Sequence, residues 1–201
     1  MGVALVVKAF DGPAWWPQIE LAVALGKQTG VPVYAWGYVY GQDPAGEAAV
    51  IRRAAGLTGY CVIDAEIQFQ CARGDSMAAQ ILSSLKDLRA HLGLTSFAFP
   101  ALHATFPWSM WASGVSSLWP QVYWQVEGLA VDLALERSYA QFSGYGLPIV
   151  AIGQAYGPAK PQDLLAFAQR AQELHLAGTS WWEWFHATPE QLAAIGRTKG
   201  V

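Results

Sequence analysis

The sequence predicts an α/β fold of TIM-like (β/α) barrel type, and three observations carry that prediction. Near-continuous apolar runs recur along the chain with helix-period stretches between them, the pattern of parallel strands covered by helices. Seven such strands fit into 201 residues, the density of a compact (β/α) barrel. Acidic residues gather at the C-terminal ends of these strands, where such barrels keep their sites. Seven strands are clear where eight would close a barrel, so an incomplete or irregular barrel is expected. A doubly wound open sheet is the competing architecture, but Asp11-Gly12-Pro13 stands where its Gly-rich phosphate loop would follow the first strand. No linker, repeat or low-complexity segment divides residues 1–201, which read as one domain.

The elements follow in order. Gly2–Phe10 is an apolar strand with one charge, Lys8, broken by Asp11-Gly12-Pro13. Ile19, Ala22, Val23 and Leu25 give Trp16–Thr29 a helical period that Gly30 closes. Val31–Tyr40 is a second strand, and Ala45–Leu57 an Ala-rich helix. Tyr60–Phe69 is a third strand, and Asp75 is placed to cap a helix over Ser76–His91 that stops at Gly93. Thr95–Pro100 is a fourth strand, followed by an aromatic loop over Ala101–Trp111. Strand five, Leu118–Glu127, leads to a helix over Leu129–Phe142. Strand six, Pro148–Tyr156, leads to a helix over Pro161–Leu176. Strand seven is Thr179–Phe185. Thr188, Pro189 and Gln191 then form the start signal of a last helix to about Ile195.

Composition narrows the partners. The formal charge of −3 gives no electrostatic footprint for nucleic acid. No apolar run reaches the length of a membrane span, and Met1–Phe10 reads as a strand and not a signal peptide. The expected location is therefore cytoplasmic, virion-borne or reached on lysis, with no membrane partner. Two cysteines, Cys61 and Cys71, are too few for a disulfide framework or metal cluster, and no cofactor or metal is expected. Ten tryptophans suit either stacking platforms for sugars or a Trp-rich core.

The residues that carry chemistry centre on Asp64 and Glu66. Two apart in a strand, they face the same way, and two carboxylates side by side in an apolar run are costly to bury without a task. Asp11, Asp43, Glu127 and Glu183 also follow strand ends. Period two puts Tyr34, Trp36, Tyr38 and Tyr40 on one face, with Val33, Ala35, Gly37 and Val39 opposite. It likewise groups Gln121, Tyr123 and Gln125 against Val122, Trp124 and Val126, and Gln154 and Tyr156 against Ile149, Ala151 and Gly153. A mouth of amides, phenols, indoles and carboxylates suits a hydroxyl-rich ligand. Lys8 reads as an ion-pair partner for a carboxylate. At least one of Trp181, Trp182 and Trp184 is expected to pack outward. His103 and His186 read as solvated or hydrogen-bonding rim residues, Trp108 and Trp111 as a lid or a loop anchor, and Arg52-Arg53 as a solvated helix face.

Val62-Ile63-Asp64-Ala65-Glu66 resembles the Asp-x-Glu strand of glycoside hydrolase family 25 lysozymes and related barrels. Leu5–Gly12 is similar to their Ile-Lys-Ala-x-Glu-Gly strand, Val33–Tyr38 to the aromatic strand before Asp-x-Glu, and Trp181-Trp182-Glu183-Trp184 to their Trp-rich last strand. The family also places an Asp on a strand before the Lys-containing one, and that Asp has no counterpart here. The resemblance implies a lysozyme-like or muramidase-like glycosidase acting on peptidoglycan or another N-acetylated glycan, phage-borne or bacterial. Glu66 would be the general acid, and Asp64 the stabiliser, nucleophile or orienter of a substrate acetamido group. Lys8, Asp11, Tyr38, Gln121, Tyr123, Gln125, Gln154, Tyr156, Trp182 and Glu183 would bind substrate. A non-catalytic glycan-binding barrel is the competing function, favoured by the missing Asp. A Schiff base on Lys8 is a third chemistry.

Overall fold

The computed structural model of the protein describes residues 3–198, so Gly2, at the start of the first predicted strand, lies outside the described residues. The chain is an α/β protein with the strand–helix alternation of an irregular TIM-like (β/α) fold, as the sequence predicts. Its residues fall into two compact units. One comprises residues 3–96 and 102–117, the other residues 97–101 and 118–198.

The N-terminal unit holds β1 (Leu5–Asp11), β2 (Ala14–Trp15), α1 (Gln18–Thr29), β3 (Val33–Val39), α2 (Pro44–Thr58), β4 (Cys61–Ala65), α3 (Gly74–Ser83), β5 (Leu92–Phe97) and α4 (Trp108–Gly114). Its strand order is β2-β1-β3-β4-β5, parallel except for the two-residue β2, which folds back antiparallel on β1. The helix side of β3, Val33, Ala35 and Val39, is buried as period two predicts, while Tyr34, Trp36 and Tyr38 are partly open on the other side. Phe10 lies so close to Gly37 that a Cβ there would stand 2.5 Å from the ring. Ile19, Ile51 and Ile81 of the helices are fully buried.

β1 carries one irregularity that positions the site. Lys8 pairs with Trp36 and Asp11 with Tyr38, so three steps on β1 match two on β3. The extra residue, Ala9, is a β-bulge. Without it, Lys8 and Asp11 would point to opposite faces.

Several expectations need correction. The predicted strand Tyr60–Phe69 ends at Ala65. Glu66 leaves strand geometry, and a 3₁₀ turn over Ile67–Phe69 swings Phe69 into the core, where its ring centroid lies 5.2 Å from that of Trp111. Asp75 sits in the first turn of α3 and does not cap it; the residue before the helix is Arg73, which makes no side-chain cap bond. That helix ends at Ser83, a 3₁₀ segment covers Lys86–His91, and Gly93 lies inside β5 opposite Val62. Trp108 and Trp111 are buried, so they anchor the aromatic loop and do not form a lid.

The C-terminal unit holds β6 (Ser117–Val122), α5 (Val131–Phe142), β7 (Val150–Gln154), α6 (Pro161–Glu173), β8 (Gly178–Trp182) and α7 (Pro189–Arg197), with strand order β6-β7-β8. Its core packs Val122, Trp124, Ala151, Leu164, Phe167 and Ala194, with Trp181 against it. Trp181 is thus the outward-packing tryptophan, 5.3 Å from the Phe167 ring. The capping box of α7 is as predicted: the Thr188 N–H donates to Gln191 Oε1 and the Gln191 N–H to Thr188 Oγ1. The predicted strand Leu118–Glu127 is too long. It stops at Val122 because the chain turns to bury Trp124, with Glu127 N–H bonded to Tyr123 O. Val126, expected to pack, is 69% exposed, and Glu127 is exposed on the same turn.

Candidate functional site

The ladder of the N-terminal unit sets two rows of side chains on the face away from the helices. Nearer the C-terminal strand ends, Asp11, Tyr38, Asp64 and Thr95 stand abreast on β1, β3, β4 and β5. Below them stand Lys8, Trp36, Val62 and Gly93. Asp11 and Asp64 are separated by two strand spacings, roughly 10 Å. Asp64 is 8% exposed, and Glu66, just past the end of β4, is half-buried.

The electrostatics tie these groups together. Burial pushes the Tyr38 hydroxyl well above the ordinary phenol range, and the charges of Glu66 and then Asp64 push it further. Tyr38 therefore stays protonated, and it donates to Gln68 Oε1 at 2.6 Å. Lys8 Nζ bonds Asp11 Oδ2 at 2.7 Å and lies over the rings of Trp16 and Trp36, 4.4 and 5.3 Å from their centroids. Lys8 is thus an ion-pair partner. The Tyr40 hydroxyl donates to Asp11 Oδ1 at 2.8 Å. Burial raises the Asp11 carboxyl, but the bonds from Lys8 and Tyr40 and the Lys8 charge outweigh it and hold it below the usual carboxylate range.

On the C-terminal unit, Gln154 is buried and its amide donates to Gln125 Oε1 and Tyr156 O, both at 3.3 Å. The Tyr123 and Tyr156 rings meet edge to face, 6.0 Å apart. Glu183 pairs with His186, and burial, then the Glu183 charge, raises the Tyr156 hydroxyl. Gln121 and Trp182 lie on β6 and β8 of this unit. Gln125 lies on the turn after β6 and not within a strand, so its place here follows from its bond to Gln154 and not from period two.

Other predicted residues have structural tasks. Asp43 caps α2, accepting the Gly46 N–H at 3.0 Å. Arg52 and Arg53 are not simply solvated: Arg52 forks onto Asp87 and bonds Ser84 O, while Arg53 pairs with Glu20 over the Trp15 ring. His103 Nδ1 meets Gln70 Nε2 at 3.0 Å, a hydrogen-bonding role. Cys61 and Cys71 are both free thiols. Sequence reasoning overlooked Gln68, which sits two residues past Glu66 in a 3₁₀ turn where strand alternation gives no guide. Among the described residues, no group of three or more His, Cys, Asp or Glu side chains is placed to hold a metal ion, and no helix is long and apolar enough to cross a membrane.

No profile of a known protein family and no curated protein sequence matches the chain. Among solved structures, it is similar to a chitinase from Chromobacterium violaceum ATCC 12472, with a TM-score of 0.76 at 12% identity. The match covers 98% of this chain and 92% of that one. The chain thus shares the fold of that chitinase structure.

Proposed function

We propose that the protein is a glycoside hydrolase acting on an N-acetylated glycan, with Glu66 as general acid and Asp64 as partner carboxylate. The observation that carries this reading is the placement of Asp64 and Glu66 at the end of β4, both within electrostatic reach of a Tyr38 hydroxyl held protonated. A protonated Glu66 would deliver its proton to the leaving glycosidic oxygen, and Asp64 would stabilise the oxocarbenium-like centre or attack it. Where the sugar carries a 2-acetamido group, Asp64 would instead orient that group as the internal nucleophile. Tyr38, whose hydroxyl hydrogen goes to Gln68, would offer its oxygen as acceptor to a substrate hydroxyl or amide N–H beside the two carboxylates. Lys8 and Asp11 would bind sugar hydroxyls and faces beside these carboxylates, and within the C-terminal unit Gln121, Tyr123, Gln125, Gln154, Tyr156, Trp182 and Glu183 are the groups suited to sugar. Likeness to a chitinase supports an N-acetylglucosamine polymer as the first substrate to try, with peptidoglycan the second.

The test is cleavage of N-acetylglucosamine oligomers and of peptidoglycan by wild type and Glu66→Gln. Loss of about 10²-fold or more in kcat is expected; equal rates would remove Glu66 from the role. A non-catalytic glycan-binding reading is favoured by one observation. Asp11, the candidate third carboxylate on this face, is already committed to Lys8 and Tyr40. An oligomer bound with measurable affinity yet intact after long incubation would establish that reading instead.

A further inference from the structure

Glu47 has no part in the chemistry above, yet it is a carboxylate with no exposed surface. It stands in the first turn of α2 and reaches back to the loop that leaves β3. Its Oε1 accepts the N–H groups of Tyr40 and Gly41, each at 3.0 Å, and its Oε2 accepts Gly41 N–H at 2.9 Å. The backbone at Gln42 adds a further bond. The charged group acting on it through space is Asp43, the cap of the same helix, which opposes its ionisation. Burial, the largest influence, raises the Glu47 carboxyl above its usual range, and the backbone bonds pull against it. Its oxygens take backbone donors in place of the ladder that ends at Val39.

What it holds is specific. Gly41 has a φ of +68°, and a side chain there would meet Met77 and Phe69, so the loop path is fixed. Tyr40 leaves this loop with its ring against Gly12 and its hydroxyl on Asp11 Oδ1. Asp11 in turn holds Lys8 over Trp16 and Trp36. The path from Glu47 to Lys8 runs through hydrogen bonds, the Tyr40 side chain and the Asp11 carboxyl.

We propose that Glu47 is a positioning residue: by fixing the Tyr40–Gly41 backbone it aims the Tyr40 hydroxyl at Asp11, and so sets the Asp11–Lys8 pair on the face that carries Asp64. The structural half of this stands on the contacts alone. Its catalytic half rests on the glycosidase reading.

The experiment reads Asp11 directly, by carboxyl NMR titration of wild type, Glu47→Gln, Glu47→Asp and Tyr40→Phe. Gln keeps the shape of Glu but turns an amide N–H₂ toward backbone donors. Asp keeps the carboxyl group but falls one methylene short. In wild type, Asp11 should titrate below the ordinary aspartate range. All three variants should raise its midpoint, and the Glu47→Gln, Tyr40→Phe double variant should raise it no further than the larger single change. An Asp11 midpoint unchanged in Tyr40→Phe overturns the proposal, as does one unchanged in a folded Glu47→Gln or Glu47→Asp. On a glycan that wild type cleaves, Glu47→Gln and Tyr40→Phe should raise KM by a similar factor and leave kcat nearly unchanged. If wild type cleaves no glycan, the glycosidase reading fails while the Asp11 titration still decides the role of Glu47.

Discussion

Asp11 shows how a single side chain is tuned by its neighbours. Lys8 and Tyr40 hold its carboxyl below the usual range against the contrary pull of burial. A carboxyl whose folded pKa is depressed contributes stability that is complete above its unfolded pKa and fades as pH falls through the folded one. Asp11→Asn should therefore lower the melting temperature at about pH 7 and have a much smaller effect near about pH 2. An equal loss at both pH values would show that the ion pair contributes nothing. At this scale the sequence was a good guide where alternation applied. Tyr38 and Asp64 share a face because both lie within strands, and their neighbours Ala35, Val39 and Ile63 are small or apolar on the other side. Glu47 was illegible because its task is set by a loop whose path depends on Gly41 and on the residues that crowd it.

The helices separate glycines that matter from those that do not. Gly74 opens α3 directly beneath the 3₁₀ turn, and a Cβ there would lie 1.9 Å from the Phe69 carbonyl oxygen. Backbone cannot give way as a flexible side chain can, so Gly74→Ala should cost roughly 1–3 kcal/mol or more. Gly56 is exposed within α2 with nothing within 4 Å of an added Cβ. Gly56→Ala should stabilise the protein by about 0.5–1 kcal/mol, since it restricts the unfolded chain and favours the helix. Denaturant midpoints of both variants check the opposite signs. Element types were legible from apolar runs and caps, as the Thr188–Gln191 box shows. Element ends were less so. β4 and β6 both stop early, where a buried aromatic, Phe69 or Trp124, draws the chain out of extension. Hydrophobic alternation continues through such a turn and conceals it.

For the whole molecule, fold likeness narrows the field without choosing a reaction. Similarity to a chitinase at 12% identity is a statement about architecture, and the reaction must be read from the site. If Asp64 orients a substrate acetamido group, cleavage should require it. N-acetylglucosamine oligomers should then be hydrolysed and matched glucose oligomers left intact. Equal hydrolysis of the two would favour Asp64 as a direct nucleophile or stabiliser. The shared face of Tyr34, Trp36 and Tyr38 was legible from alternation along β3. The commitment of Asp11 to Lys8 and Tyr40 was not, because it depends on distances across β1 and β3.

The bulge at Ala9 has a consequence for how such chains are aligned. Lysine and acid stand three apart in Lys8-Ala9-Phe10-Asp11, a spacing that strict alternation would assign to opposite sides. The extra residue brings them back into phase, with Lys8 beside Trp36 and Asp11 beside Tyr38. A Lys-x-x-acid step at the end of a parallel strand is then a readable mark of a one-residue insertion. Scoring it as out of phase would discard the very pair that the fold has brought together.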